Sequence, residues 1–134
     1  MRIAVATDDG QTISRHFGRA RQYAVLTVED GAIVSRELRD KSAPHWLAGA
    51  PHEDEAEGEG DAHGTSPASR GKHLAMLAAI GDCAAVIAGG MGRGAYDHAL
   101  EAGLRPYVTS MADIEEAAIE CEAGRLVDEV GRLH

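Results

Sequence analysis

Two segments of the sequence carry residue types that can bind a ligand. The first lies between an uncharged apolar run and a helical pattern, and it reads Gly89, Gly90, Met91, Gly92, Arg93 and Gly94. Glycine lets the backbone turn sharply and leaves room for a close neighbour. The helix that follows directs its free N–H groups and the positive end of its dipole at this turn, an arrangement that can hold an anion. Arg93 adds a permanent charge that could pair with the anion, and its alternative role is that of a solvated arginine.

The second segment follows the first predicted strand and reads Ser14, Arg15, His16, Phe17 and Gly18. An imidazole binds borderline metals, iron included, so His16 is the candidate metal ligand. The alternative for His16 is a surface histidine that caps a turn. Phe17 is the one phenylalanine of the chain, and it is either a hydrophobic plug beneath the loop or a contact for the ligand.

Common nucleotide-binding and catalytic motifs are absent from the sequence. The glycine spacing differs from the dinucleotide fingerprint, and no Gly-Lys-Ser/Thr phosphate loop is present. Asp8 and Asp9 are adjacent, so in a strand their side chains would point to opposite faces and would make a poor acid–base pair. The sequence therefore offers a candidate binding site without an evident nucleophile.

Composition narrows the class of protein further. A chain of 134 residues is expected to form one domain, and its 13 basic and 22 acidic residues give a net charge of −9, which argues against a nucleic-acid partner. No apolar run approaches the ~20 residues that span a membrane. Cys83 and Cys121 lie far apart and are expected to be buried, reduced thiols, so we expect a cytoplasmic protein.

The hydrophobic pattern predicts an α/β domain. Strands are predicted at residues 2–7, 22–29, 32–39, 84–88 and 105–108, with a hairpin turn at Asp30-Gly31. Helices are predicted at 70–80, at 93–102 and after a capping box that runs from Ser110 to Asp113. A hairpin followed by βαβ alternation predicts a mixed sheet with helices on its faces. If the first and fourth strands are neighbours, His16 lies opposite the glycine turn.

Residues 40–69 differ in composition from the rest of the chain. Six acidic residues fall within positions 53–61, flanked by His52 and His63, and no Lys or Arg lies among them. A segment this polar buries too little apolar surface to offset its ordering entropy, which predicts a flexible insertion into the single domain 1–134. Two roles stay open for it, a weak chelating tract and a solvated charged loop.

The two candidate segments together resemble the dinitrogenase iron-molybdenum cofactor biosynthesis family. The start of the chain, with Ser14-x-His16-Phe17-Gly18, is similar to the opening of that domain. Residues 83–96 of this chain, with Leu100, Gly103, Pro106 and Tyr107, are similar to the second half of that domain. The resemblance spans the chain apart from about residues 40–69.

The resemblance implies a ribonuclease-H-like fold, in which three layers, α/β/α, enclose a mixed five-stranded sheet. It implies a non-catalytic carrier that binds an iron–sulfur precursor cluster or the iron-molybdenum cofactor and passes it between donor and acceptor proteins, as an accessory of nitrogen fixation. It also implies a ligand role for His16, with Ser14 and Phe17 in the same loop. Because such a cluster is anionic, residues 89–94 would hold its face. The fold itself brings no nuclease activity with it.

An alternative function uses the same crevice. The anion-binding geometry alone is compatible with an enzyme or sensor for a small phosphorylated or carboxylated molecule. A third hypothesis is metal buffering by the acidic insertion.

Overall fold

Five strands form one mixed sheet. In the computed structural model, which describes residues 1–41 and 75–133, the strands are β1 (Arg2–Thr7), β2 (Gln22–Glu29), β3 (Ala32–Asp40), β4 (Ala85–Ala88) and β5 (Arg105–Val108). Their order in the sheet is β3-β2-β1-β4-β5. Strand β2 is antiparallel to β1 and β3, whereas β4 is parallel to β1 and β5. The predicted mixed sheet is confirmed, and β1 and β4 are neighbours.

Helices cover both faces of the sheet. They are α1, whose described residues are 75–78, α2 (Arg93–Glu101) and α3 (Ile114–Glu122), with a short 3-10 turn at Val130–Arg132. Alternate strand residues point to opposite faces. One face packs Ala6, Val25 and Val86 against α1 and α2, and the other packs Val5, Leu26 and Ile87 against α3. Within the described part of the chain, no helix has the length and apolar character needed to cross a lipid bilayer.

Residues with positive φ form the turn between β2 and β3 and follow the end of α2. Asp30 and Gly31 have φ of 53° and 78°, the positive values that a two-residue hairpin turn between twisted strands requires. Gly103, with φ of 88°, follows the end of α2 as predicted.

The predicted capping box at Ser110 is wrong. Helix α3 has Asp113 as its N-cap, and the Asp113 carboxylate accepts a hydrogen bond of 2.7 Å from Glu116 N–H. The main-chain N–H and the hydroxyl of Ser110 both donate instead to the Glu129 carboxylate, at 2.9 and 3.1 Å. Aspartate caps helices as well as serine does, and Ser110 is not free to cap α3 because it is hydrogen-bonded to Glu129.

Most of the predicted insertion lies outside the described residues. This holds for positions 42–69, with His52 and His63, and for the first residues of the helix predicted at 70–80. Asp40 is the last residue of β3, and Lys41 is buried.

An ion-pair network joins the end of β3 and the start of β1 to the segment before β4. Arg39 donates two hydrogen bonds to the Asp82 carboxylate, at 2.6 and 2.9 Å, and a third of 3.0 Å to the Ala79 carbonyl. Arg2 donates to the same carboxylate at 2.5 Å. The Arg39 guanidinium, with Arg2 as a further donor, holds the pKa of Asp82 well below its usual range. The network joins β3 and β1 to the segment that leads into β4.

Replacing Asp82 tests this network. The Arg39 side chain is only 7% exposed and pairs with two carboxylates, those of Asp82 and Glu37. Asp82→Asn removes the first of these charges, so the free energy of unfolding at about pH 7 should fall by about 2 kcal/mol. The folded pKa of Asp82 lies below its unfolded value of about 3.9, so its contribution is present above that pH and is lost as the pH falls. The stability difference between the two proteins should therefore shrink below about pH 4 in urea unfolding curves.

The matched control is Asp30→Asn, the same chemical change in an exposed turn position that asparagine also favours. It should alter stability by less than about 0.5 kcal/mol. An Asp82→Asn deficit that stays constant from neutral to acid pH would contradict the ion-pair account.

Candidate functional site

The two predicted ligand-binding segments meet at the carboxyl edge of the sheet. Parallel pairing aligns Val5 of β1 with Ile87 of β4, so both strands end at the same edge. Gly89 N–H donates to the Ser14 carbonyl at 2.7 Å, and Phe17 N–H donates to the Gly90 carbonyl at 2.8 Å. The structure thus confirms that these two segments, the histidine loop (residues 14–18) and the glycine turn (residues 89–94), lie together.

Gly89 permits this close approach because it has no side chain. A Cβ atom at this position would lie 3.0 Å from both Arg15 Cα and the Ser14 carbonyl oxygen. Both neighbours are main-chain atoms of the histidine loop, which cannot move aside as a flexible side chain could. Gly18 and Gly92, in contrast, have no atom within 4 Å of a Cβ.

His16 lies exposed in a tight turn of the histidine loop. Its carbonyl oxygen accepts hydrogen bonds from Arg19 N–H at 3.1 Å and from Ala20 N–H at 3.0 Å. The Ser14 hydroxyl lies 3.2 Å from both the main-chain N and the carbonyl O of His16. Ser14 therefore shapes the turn that presents the imidazole, and direct contact between Ser14 and a ligand stays a prediction.

Phe17 anchors the same loop from below. Its side chain is 1% exposed and packs in the core with Tyr23, at 6.2 Å between ring centroids. The buried Lys41 places its Nζ 4.2 Å from the Phe17 ring centroid and donates a hydrogen bond to the Phe17 carbonyl. The interpretation of Phe17 as a hydrophobic plug is confirmed. Met91 is equally buried, so a ligand contact by either side chain stays a prediction.

The glycine turn leads into the N-terminus of α2. Gly92 is the N-cap of α2, and because it has no side chain it makes no side-chain capping hydrogen bond. Its carbonyl accepts a hydrogen bond of 3.0 Å from Tyr96 N–H. No acidic residue lies in the first turn of α2, and Arg93 is exposed there. The positive end of the helix and the exposed Arg93 therefore both lie directly after the glycine turn.

Three further arginines lie close to His16 in the sequence, and their role was not predicted. Arg15, Arg19 and Arg21 are exposed, and residues 11–21 contain no acidic side chain although the chain carries a net charge of −9. Among the described residues, none of the three takes part in an ion pair. This local excess of positive charge is visible in the sequence and could have predicted the role of these arginines. It favours an anionic ligand.

A third loop completes the crevice. The segment between β5 and α3 lies beside the histidine loop, because Ile13 N–H donates to the Ala112 carbonyl at 2.9 Å. A pocket opens between the three loops, lined by Ile13, Arg15, Gly89, Thr109, Ser110, Met111 and Ala112. The carboxyl ends of β1, β4 and β5 each supply one wall. This third wall was not predicted, because the motif found at residues 110–113 indicates the start of a helix and not a ligand site.

Two other groups of candidate residues are engaged elsewhere. The Asp9 carboxylate accepts hydrogen bonds of 2.8 Å from both Thr12 N–H and Gln11 N–H, which hold its pKa well below the usual range and make it part of a turn. Burial raises the pKa of the Cys83 thiol to about 12 and that of Cys121 to about 11, as expected for buried thiols. In the part of the chain that the structure describes, no three His, Cys, Asp or Glu side chains cluster as a metal site.

Known proteins share this fold. The profile of the dinitrogenase iron-molybdenum cofactor family matches residues 1–124. No protein of curated function matches the sequence. The apo form of the orange protein from Desulfovibrio gigas is 18% identical, with a TM-score of 0.59 over 93% of this chain and 89% of that one.

Two more solved structures are similar to the chain. A Thermotoga protein described as a candidate NifB protein is 22% identical, with a TM-score of 0.56 over 95% of this chain and 91% of that one. A candidate dinitrogenase from Methanocaldococcus jannaschii is 12% identical, with a TM-score of 0.57 over 94% and 91% of the two chains. At these identities the likeness shows a shared fold.

Replacing Gly89 tests the contact between the two segments. In Gly89→Ala the new methyl group meets the main chain of residues 14 and 15, so we expect a loss of about 1–3 kcal/mol in the free energy of unfolding. Backbone amide shifts should change in the histidine loop, as measured by NMR.

Gly18→Ala is the matched control, because its methyl group enters open space in the same loop. It should change stability by less than about 0.5 kcal/mol. Equal stability of the two variants would show that the two segments are not packed this closely.

Proposed function

Because the chain belongs to the dinitrogenase iron-molybdenum cofactor family, we propose that it is a non-catalytic carrier of an anionic iron–sulfur or iron-molybdenum cluster. One observation supports this most strongly. Main-chain hydrogen bonds of 2.7 and 2.8 Å join the glycine turn to Ser14 and Phe17, which flank the exposed His16. A residue type that binds metals and a helix N-terminus that can bind an anion therefore lie at the same edge of the sheet.

The cargo would have its own sulfide ligands when it arrives. The described residues supply one imidazole at the crevice, whereas the Cys83 thiol lies at the opposite edge of the sheet and keeps its proton at neutral pH. A site with a single imidazole fits a preassembled cluster, which needs one anchoring bond, better than it fits stepwise assembly from free ions. His16 is therefore proposed as the metal ligand.

The negative charge of the cargo would be balanced by the protein around His16. Residues 89–94 would present main-chain N–H groups and the N-terminus of α2, and the exposed Arg93 would add a charged donor. A hydrogen bond from a charged group contributes about 1.5–3 kcal/mol, so a few of these contacts suffice for retention. The exposed Arg15 and Arg19 extend the same positive rim.

Three further proposals follow from the family. Helices on both faces of a mixed five-stranded sheet support a ribonuclease-H-like arrangement of three layers. A carrier requires a protein that donates the cluster and another that accepts it. Such a transfer would take place in the cytoplasm.

Loss of the imidazole should weaken cargo retention. His16→Ala loaded anaerobically with isolated iron-molybdenum cofactor should retain the cofactor about tenfold less tightly than wild type, because a direct metal bond is lost. Absorbance and bound metal after gel filtration measure the retention. Gln11→Ala, at a nearby residue that is also exposed, is the matched control and should behave as wild type.

Two outcomes of this experiment would contradict different parts of the proposal. Equal retention by His16→Ala and wild type would contradict the ligand role of His16. If wild type retains neither isolated iron-molybdenum cofactor nor a reconstituted [4Fe–4S] cluster, the carrier proposal fails.

The arginine in the glycine turn should contribute through its charge. Arg93→Gln should weaken cofactor binding by about tenfold, the equivalent of one charged hydrogen bond. Arg105→Gln removes the same charge from the exposed amino-terminal end of β5, at the opposite edge of the sheet, and should have little effect. Equal losses in both variants, in titrations at two salt concentrations, would point to net charge and not to a contact at the crevice.

A further inference from the structure

The C-terminal tail, residues 125–133, runs along the outer edge of β5. The family match ends at residue 124, just before the tail begins. Val108 N–H donates to Asp128 Oδ1 at 2.9 Å, and Glu129 N–H donates to the Val108 carbonyl at 2.7 Å. Both hydrogen-bonding groups of Val108 on the open edge of the sheet are therefore satisfied by the tail.

The second oxygen of Asp128 binds α2. The Tyr96 hydroxyl donates to Asp128 Oδ2 at 2.5 Å, and this hydrogen bond is the main reason that the pKa of Tyr96 rises to about 12. The phenol therefore stays protonated at neutral pH and remains a donor. Tyr96 lies one helical turn after Gly92, whose carbonyl it binds at 3.0 Å through its main-chain N–H. One carboxylate thus fixes the first turn of α2 to the end of β5.

The tail also contacts the other two parts of the crevice. The Glu129 carboxylate accepts hydrogen bonds of 2.9 and 3.1 Å from the N–H and hydroxyl of Ser110, a pocket-lining residue. Leu133 forms an isolated parallel bridge with Met91 in the glycine turn and packs partly buried against the core. A single segment therefore holds the glycine turn, the start of α2 and the loop after β5.

We propose that Asp128 and Glu129 are positioning residues, through which the tail holds the glycine turn and residues 108–112 in the arrangement that receives the cargo. The inference rests on the carrier function proposed above. Neither carboxylate needs to touch the cluster, because each acts through a neutral donor on a wall of the site. Fixing the walls before binding lowers the ordering cost that the cargo would otherwise have to meet.

Hydrogen exchange on the cargo-free protein tests the positioning directly. In Asp128→Ala, amides of residues 89–96 and 108–112 should exchange about fivefold faster or more, while those of the β2–β3 hairpin stay at the wild-type rate. Tyr96→Phe removes only the hydroxyl donor and should accelerate residues 89–96 alone. Asp128→Asn keeps an acceptor for Val108 N–H and should fall between Asp128→Ala and wild type. Val127→Ala is the control, at a side chain that directly precedes Asp128 and is 68% exposed.

A binding measurement links the tail to the cargo. The Kd for isolated iron-molybdenum cofactor should rise about fivefold in Asp128→Ala and stay unchanged in Val127→Ala, at equal folded fraction by circular dichroism. Uniform acceleration of exchange over the whole sheet, no acceleration at all, or equal Kd in the two variants would overturn the inference. Failure of wild type to bind the cofactor would overturn the carrier function instead, and the exchange rates would still decide whether the tail positions the site.

Discussion

Two main-chain hydrogen bonds, from Gly89 N–H to the Ser14 carbonyl and from Phe17 N–H to the Gly90 carbonyl, define the candidate site. They form because β1 and β4 are parallel neighbours whose carboxyl ends reach the same edge of the sheet. The absence of a side chain at Gly89 allows the required distance, and the buried Phe17 holds the loop down. The exposed His16 and the N-terminus of α2 are thereby brought to the same edge of the sheet, although they lie far apart in the chain.

Local chemistry in the sequence predicted much of this fold. The bounds of β1, β2 and β5 follow from runs of apolar and strand-forming residues that end at turn residues. The Asp30-Gly31 hairpin follows from the positive φ that those residues accept. The pairing of β1 with β4 was different in kind, because nothing local to either strand specifies its neighbour. The sequence predicted that His16 lies opposite the glycine turn only if β1 and β4 are neighbours. The structure shows that these two strands are neighbours.

The supporting residues could not be predicted because they act over long sequence separations. Lys41 binds the Phe17 carbonyl from 24 residues away, and Glu129 engages Ser110 across 19 residues. The contact between Glu129 and Ser110 also explains why the predicted cap of α3 was wrong. Asp113 caps the helix, because Ser110 is bound to Glu129. Motif spacing finds the groups that could touch a ligand, whereas the walls that hold them are set by tertiary contacts. The exposed arginines near His16 were detectable as a local charge excess.

The central claim is that one crevice holds both the metal ligand and the anion-binding turn. A crystal structure of the anaerobically loaded protein, with anomalous scattering recorded at the iron edge, tests this claim most directly. The account predicts anomalous density within bonding distance of the His16 imidazole and against residues 89–94. Ordered iron density elsewhere on the protein, with the crevice empty, would contradict it.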